Sequence, residues 1–215
     1  MKIQYLGHSS FLIKSKNGTV VTDPFEPKDV GLKFPKVEAD LVTVSHQHLD
    51  HNNVAVVGGE GKLVFDFPGE YEHKGIRVFG YATSHDDKNG ADRGENIIFK
   101  ILLEGITITH CGDLGHIPNE EIMESLKDTD VLMLPVGGFY TIGPKEAMKI
   151  VNLINPEIII PMHFNDPRLN QEAFKDLLPV KEFLTLMGVE SLQPVDKLEL
   201  KSDTLPEKEV VLLSF

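Results

Sequence analysis

The chain has a single cysteine, no apolar run long enough to cross a bilayer, no cluster of basic residues and no internal repeat. Each absence excludes something. One cysteine cannot make an internal disulfide framework and fits a reducing compartment, so a cytoplasmic protein is expected. No stretch approaches the roughly 18 consecutive apolar residues of a membrane span. The opening MKIQYLGHSS has no continuous apolar segment of the kind a signal peptide needs. No membrane partner is therefore expected. Asp and Glu number 33 against 21 Lys and Arg, a net charge of −12. Nucleic-acid affinity comes largely from Lys and Arg neutralising phosphates, so a nucleic-acid partner is not expected either. A length of 215 residues suits one domain with a large core, and residues 1–215 are read as such.

What is present is a series of short apolar runs. Residues 2–6, 10–14, 19–22, 41–44, 62–67, 75–83 and 97–103 read as strands bounded by Gly, Asn, Asp and Pro. Segment 106–111 alternates, with Ile106, Ile108 and His110 on one face. The second half turns α/β. Asn119 is placed to cap a helix with Glu120 and Glu121 in its first turn, and 131–135 reads as a strand. Pro144 opens a helix that Pro156 stops, with Ala147, Ile150, Val151 and Ile154 on one face. Residues 157–161 and 209–214 read as strands, and 171–187 as mostly helical around Pro179.

Histidines and aspartates stand where these runs end. Asp23 follows TVVT, His46 follows LVTVS, His85 follows RVFGYATS, Asp113 follows ITITHCG and His163 follows IIIPM. Strand ends that emerge on one edge of a sandwich can converge, and rigid strands hold side chains well there. The stretch SHQHLDH concentrates His46, His48, Asp50 and His51 in six residues. His46 and His48 point the same way in extended chain, whereas Asp50 and His51, being adjacent, diverge. That divergence suits two metal ions better than one. Imidazole and carboxylate without thiolate suit Zn²⁺, with Mn²⁺, Fe²⁺ or Ni²⁺ as alternatives.

With HQHLDH matching HxHxDH in full, and with CGDLGH and IPMHF following in order, the chain resembles the metallo-β-lactamase superfamily. YLGHSSF, TDPF, PGEYE and PVGGFYTIG resemble its small metal-dependent hydrolases, including ascorbate-6-phosphate lactonase-like proteins. The resemblance implies an αββα sandwich of two mixed β-sheets with a metal site at one edge. It implies that His46, His48 and His85 hold one divalent ion, that Asp50, His51 and His163 hold the other, and that Asp113 bridges them. Asp23 would orient a ligand histidine from behind. The sequence departs from the family pattern twice. TSHDD replaces a GHT-like turn, which makes His73 a rival to His85 as third histidine. Asp113 stands where many true β-lactamases carry cysteine, so antibiotic hydrolysis is not expected.

Two divalent ions would leave net positive charge at the attacked group and generate hydroxide near neutral pH, by bringing the pKa of water from ~15.7 towards ~7. The expected activity is hydrolysis of an ester, lactone, thioester or phosphodiester in a small-molecule substrate, neutral or anionic. Asp50, His8 and His116 are the candidate catalytic residues, His8 or His116 protonating a leaving group or binding substrate. His110 is expected to be a satisfied core histidine and Cys111 a small buried hydrophobe. Gly137 and Gly138 either offer backbone N–H groups to substrate or simply make a tight turn. The rival readings are a flavodiiron-type redox protein, an RNase Z-like nuclease and a non-catalytic metal-binding protein. The first is opposed by His48 where glutamate is expected, the second by the acidic charge.

Overall fold

A computed structural model describes all 215 residues. The strands of the first half are β1 (Lys2–Gly7), β2 (Ser10–Lys14), β3 (Thr19–Thr22), β4 (Leu41–Thr43), β5 (Leu63–Phe65), β6 (Gly69–His73), β7 (Ile76–Ser84) and β8 (Glu95–Leu103). β9 (Ile106–His110), β10 (Val131–Pro135), β11 (Ile158–Met162), β12 (Leu198–Glu199) and β13 (Glu209–Val210) follow. The helices are α1 (Pro27–Val30), α2 (Glu120–Ser125), α3 (Pro144–Ile154), α4 (Gln171–Phe174) and α5 (Val180–Leu186).

The strands form two mixed sheets, ordered β12-β1-β2-β3-β4-β5 and β13-β11-β10-β9-β8-β7-β6. In the first sheet β3, β4 and β5 run parallel and β1, β2 and β3 antiparallel. In the second, β9, β10 and β11 are parallel and β6 to β9 antiparallel. Period-two alternation sends successive residues to opposite faces. On β2, Phe11 and Ile13 enter the core shared by both sheets, while Leu12 joins a second apolar cluster on the outer face. β3 and β4 divide their residues in the same way, at Val20 against Val21 and Leu41 against Val42. Strands covered on both faces read as continuous apolar runs, which is why no polar alternation marks them.

Helices cover both outer faces. Val30 of α1 and Phe174 of α4 close the outer cluster of the first sheet, while α3 packs on β10 and α5 on β11. This is the expected αββα layering. Asn119 accepts from the Ile122 N–H as the α2 cap, and Pro144 opens α3. Asn155, left-handed at φ 54°, ends α3 with its N–H on the Val151 carbonyl. No helix is long and apolar enough to cross a membrane.

Several elements differ from expectation, with α1, β6 and β12 falling where no helix or strand is expected. β6 pairs with β7 at the edge of the second sheet, although GEYEH has no apolar alternation; backbone pairing and one side chain, Tyr71 stacked on Phe65 at 4.3 Å, recruit it, and its other side chains stay largely exposed. The expected strand 209–214 pairs with β11 only over Glu209–Val210, and Leu213 then bridges to Val195. Pro179 divides the region 171–187 into two short helices.

Candidate metal centre

The strand ends do converge. Ring nitrogens of His46, His48 and His85 form one group, and ring nitrogens of His8, His51 and His163 with a carboxylate oxygen of Asp50 form another, ligand atoms within each lying no more than 4.8 Å apart. Asp113 stands between the groups. Its Oδ2 is 3.1 Å from His163 Nε2 and 3.3 Å from both His51 Nε2 and His85 Nε2, with His46 Nε2 at 4.0 Å. The third histidine of the first group is thus His85, whereas His73 ends β6 in the hairpin opposite Ile76.

Three of these residues reach the centre by left-handed backbone, His8 at φ 57°, Asp23 at φ 40° and His163 at φ 50°. Such conformations cost about 1–3 kcal/mol each in non-glycine residues and persist only where surroundings over-determine them. At His8 the carbonyl accepts the His163 N–H at 3.0 Å and the Tyr5 hydroxyl at 2.5 Å. At Asp23 the N–H donates to the Thr43 carbonyl at 2.9 Å. Asp113 is fixed by Asn96, whose Oδ1 accepts the Asp113 N–H at 2.9 Å. Asn96 Nδ2 in turn donates to Thr83 Oγ1 and the Cys111 carbonyl. Gly112 precedes it at φ 55°, and a Cβ there would lie 2.4 Å from Asn96 Oδ1, so only glycine lets the turn close.

Hydrogen bonding behind the rings fixes which nitrogens face inward. Asp23 Oδ2 lies 2.9 Å from His51 Nδ1 and accepts from Ser45 Oγ at 2.5 Å, while Oδ1 accepts the Ser45 N–H. A carboxylate only accepts, so His51 Nδ1 carries a proton, and in the neutral ring Nε2 is left with a lone pair. Ser45 spends its single proton on Asp23; its oxygen then accepts from His46 Nδ1, 2.9 Å away, leaving His46 Nε2 as a lone pair too. Both Nε2 atoms are buried with no hydrogen-bond partner in the protein. Buried, unpaired lone pairs are costly, and a cation facing each would remove that cost. The donor set and its arrangement fit divalent metal binding.

The electrostatics of the carboxylates, of His46 and of His8 agree. Burial opposes ionisation of Asp23, Asp50 and Asp113, yet histidines around each hold the carboxyl below its ordinary range: His110 and His51 at Asp23, His51 and His8 at Asp50, His163 and His51 at Asp113. Burial and the neighbouring His51 push His46 down to about 3; burial and His163 push His8 down to about 4. His51 goes the other way, because Asp113 and Asp50 outweigh its burial and favour the imidazolium; a cation held by those carboxylates would take the place of its Nε2 proton. Ionised carboxylates and neutral imidazoles are the forms that bind metal.

A cavity of about 450 Å³ opens onto the centre, with His48, Asp50, His85, Asp113 and His163 on its floor. Arg93, Tyr140 and Phe174 are among its walls. A larger depression of about 1120 Å³ elsewhere is lined by scattered lysines and no histidine. His8 is buried beneath Asp50, its Nε2 3.1 Å from Asp50 Oδ2. His116 is half-buried and does not line the cavity. His110 is fully buried with Nε2 2.8 Å from the Ser9 carbonyl, and burial pushes the Cys111 thiol up to about 12. Gly137 donates its N–H to the His163 carbonyl and Gly138 to that of Ile142, so neither is free for substrate. Ser45 and Arg93 carry no signal in the sequence. Serine and arginine are ordinary surface residues, and Asp23 and Tyr140, which they meet, are distant in sequence.

Residues 2–163 match the family described as Beta-lactamase superfamily domain. The chain is 32% identical over 226 residues to a UPF0173 metal-dependent hydrolase of Methanocorpusculum labreanum, covering 93% of this chain and 100% of that protein. It is 31% identical over 230 residues to a UPF0173 metal-dependent hydrolase of Thermococcus kodakarensis, with the same coverage of 93% and 100%. It is similar to the crystal structure of a Thermotoga maritima protein described as a candidate Zn-dependent hydrolase of the metallo-β-lactamase superfamily. The TM-score is 0.81 and the identity 40%, with 99% of this chain and 97% of that chain covered. Matches of this extent, on a two-sheet scaffold carrying this donor set, show that the chain belongs to the metallo-β-lactamase superfamily and, within it, to the UPF0173 family of metal-dependent hydrolases.

Proposed function

We propose that the chain hydrolyses a small-molecule ester, lactone, thioester or phosphodiester using two divalent ions, zinc first among them. The observation that carries this reading is the position of Asp113 Oδ2, within 3.3 Å of Nε2 atoms belonging to both histidine groups. His46, His48 and His85 would hold one ion, Asp50, His51 and His163 the other, and Asp113 would be shared. Ions there would polarise the attacked group and bring the pKa of a water from ~15.7 towards ~7.

The chain's own residues supply the rest. Asp23 and Ser45 lock the rings of His51 and His46 with Nε2 inward, so little reorganisation is needed when charge develops. His8 donates its Nε2 proton to Asp50 and so sets which carboxylate oxygen faces the cavity. Asp50, on the cavity floor, is then the group placed to exchange a proton with a leaving group, and His116 has no part in this reading. The segments resembling ascorbate-6-phosphate lactonase-like proteins make lactones the first compounds to try. The single cysteine supports a reducing cytoplasm as the working compartment, and the acidic charge supports a substrate other than nucleic acid.

The test is a screen of lactones, esters, thioesters and phosphodiesters with protein of measured metal content. Turnover that rises with metal occupancy and disappears on chelation is expected. Full occupancy with no turnover in any class would leave a metal-binding protein without this chemistry.

A further inference from the structure

We propose that Arg93 receives an oxyanion of the substrate, a carboxylate or a phosphate, at the wall of the cavity while the scissile bond lies at its floor. This rests on the hydrolase reading above for the position of the scissile bond.

The first observation is how Arg93 is held. Between β7 and β8 the loop 86–94 folds around one buried carboxylate. Asp86 Oδ1 accepts the N–H groups of Lys88 and Gly90 at 2.8 Å each, and Oδ2 those of Asp92 at 2.9 Å and Arg93 at 2.8 Å. The Gly94 carbonyl ties the loop to His85 N–H at 3.0 Å. Charge-assisted bonds of this kind are roughly twice as strong as neutral ones. The backbone of Arg93 is therefore fixed next to the metal-facing His85.

The second observation is where its side chain goes. Arg93 lines the same cavity as Asp113, Asp50 and His163, and its guanidinium lies 5.5 Å from the centroid of the Tyr140 ring. An aromatic face beside a guanidinium restrains it and leaves its N–H fork free for a planar partner.

The third is that this cation has no anion. The adjacent acid, Asp92, is paired with Lys88 at 2.6 Å. Asp50 and Asp113 are engaged by histidines, and Asp29, which also lines the cavity, makes no ion pair with Arg93. In a chain of net charge −12, an unpaired, half-buried arginine facing a cavity is positioned to bind an anion and to offset the repulsion that an anionic ligand meets on approach. A guanidinium takes carboxylate or phosphate bidentately, a geometry that lysine does not reproduce.

The test measures affinity on zinc-loaded protein by calorimetric titration, with probe pairs that differ only in a terminal oxyanion: butyrate and succinate, valerate and glutarate, hexanoate and adipate. A parallel series replaces the second carboxylate by phosphonate, so that the arm with the larger effect identifies the preferred anion. In the wild type, one chain length is expected to bind about tenfold or more tightly as the dianion than as the monoanion. Arg93→Met should erase that ratio and Arg93→Lys should keep part of it, with metal content and melting temperature unchanged. An equal ratio in wild type and Arg93→Met would overturn the proposal. Metal analysis separates it from the reading it rests on. If the protein takes up no metal, the hydrolase reading falls, while the same ratio measured on metal-free protein still decides for or against Arg93.

Discussion

Nδ1 of His51 lies 2.9 Å from Oδ2 of Asp23, both side chains fully buried, across 28 residues of sequence. The same carboxylate oxygen accepts from Ser45, which in turn receives the His46 ring proton. One aspartate thus sets the tautomer of two inward-facing histidines. Asp23→Asn keeps the volume but offers an N–H where His51 needs an acceptor, so His51 would turn or change tautomer. Metal affinity is expected to fall about 10–100-fold, measured by competition with a chelator of known affinity. Ser45→Ala should weaken binding less, because only His46 loses its acceptor. Unchanged affinity in Asp23→Asn would mean that the carboxylate serves the fold alone.

Asp113 is expected to matter to both groups. Asp113→Ala should lower binding at two positions, whereas His163→Ala should empty mainly one. Stepwise metal titration distinguishes these outcomes; two tight sites surviving in Asp113→Ala would remove the shared carboxylate from the reading.

His110 and His85 provide the contrast between structure and chemistry. His110 is fully buried with its ring on the Ser9 carbonyl, so His110→Ala should cost about 1–3 kcal/mol through a cavity and an unpaired carbonyl. Metal content should stay intact. His85→Ala should instead lose metal, with a smaller intrinsic effect on packing. The reverse pattern, metal lost in His110→Ala and kept in His85→Ala, would exchange their roles.

The sequence made the centre legible because rigid apolar strands stop abruptly at polar residues. Asp23, His46, His85, Asp113 and His163 all follow such stops, and β3, β4, β7, β9 and β11 deliver them to one place. What it hid depended on long-range geometry. His8 meets Asp50 across 42 residues, and only because the β1–β2 reversal adopts a left-handed turn. The two glycines after β10 were readable as donors or as a turn. Their N–H groups prove to be taken by His163 and Ile142, because Gly137 lies so close to the next strand that a Cβ would sit 2.3 Å from the His163 carbonyl oxygen. β6 carries no apolar alternation because only Tyr71, stacked on Phe65, turns towards the core, and an edge strand needs little more to pair.

The loop around Asp86 gives a pH-dependent expectation. Four backbone N–H groups overcome the cost of desolvation and hold this carboxyl below its ordinary range. A depressed folded pKa contributes stability that is present above the unfolded value, near 3.8, and lost as pH falls through the folded one. Asp86→Asn, which cannot accept on both oxygens, should melt below the wild type at neutral pH. The difference in melting temperature should shrink as pH drops below about 4. A difference independent of pH would show that the charge on Asp86 contributes nothing to the loop.

The last expectation concerns His8, whose place beneath Asp50 allows two roles with different outcomes. Its Nε2 carries the proton given to Asp50 Oδ2, so that atom has no lone pair to offer a metal while the bond holds. Yet His8 also lies within ligand distance of Asp50, His51 and His163. Asparagine tolerates the left-handed backbone at φ 57°, and the carbonyl that binds Tyr5 and His163 is unaffected by the side chain. His8→Asn should therefore fold and, at saturating zinc, bind as many ions as the wild type. Asp50 would lose the donor that fixes its carboxylate, and kcat should fall about 10–100-fold with a smaller change in KM. Metal content, melting temperature and kcat measured together decide the matter. Loss of one equivalent of metal at saturating zinc would make His8 a ligand and release Asp50 from its control.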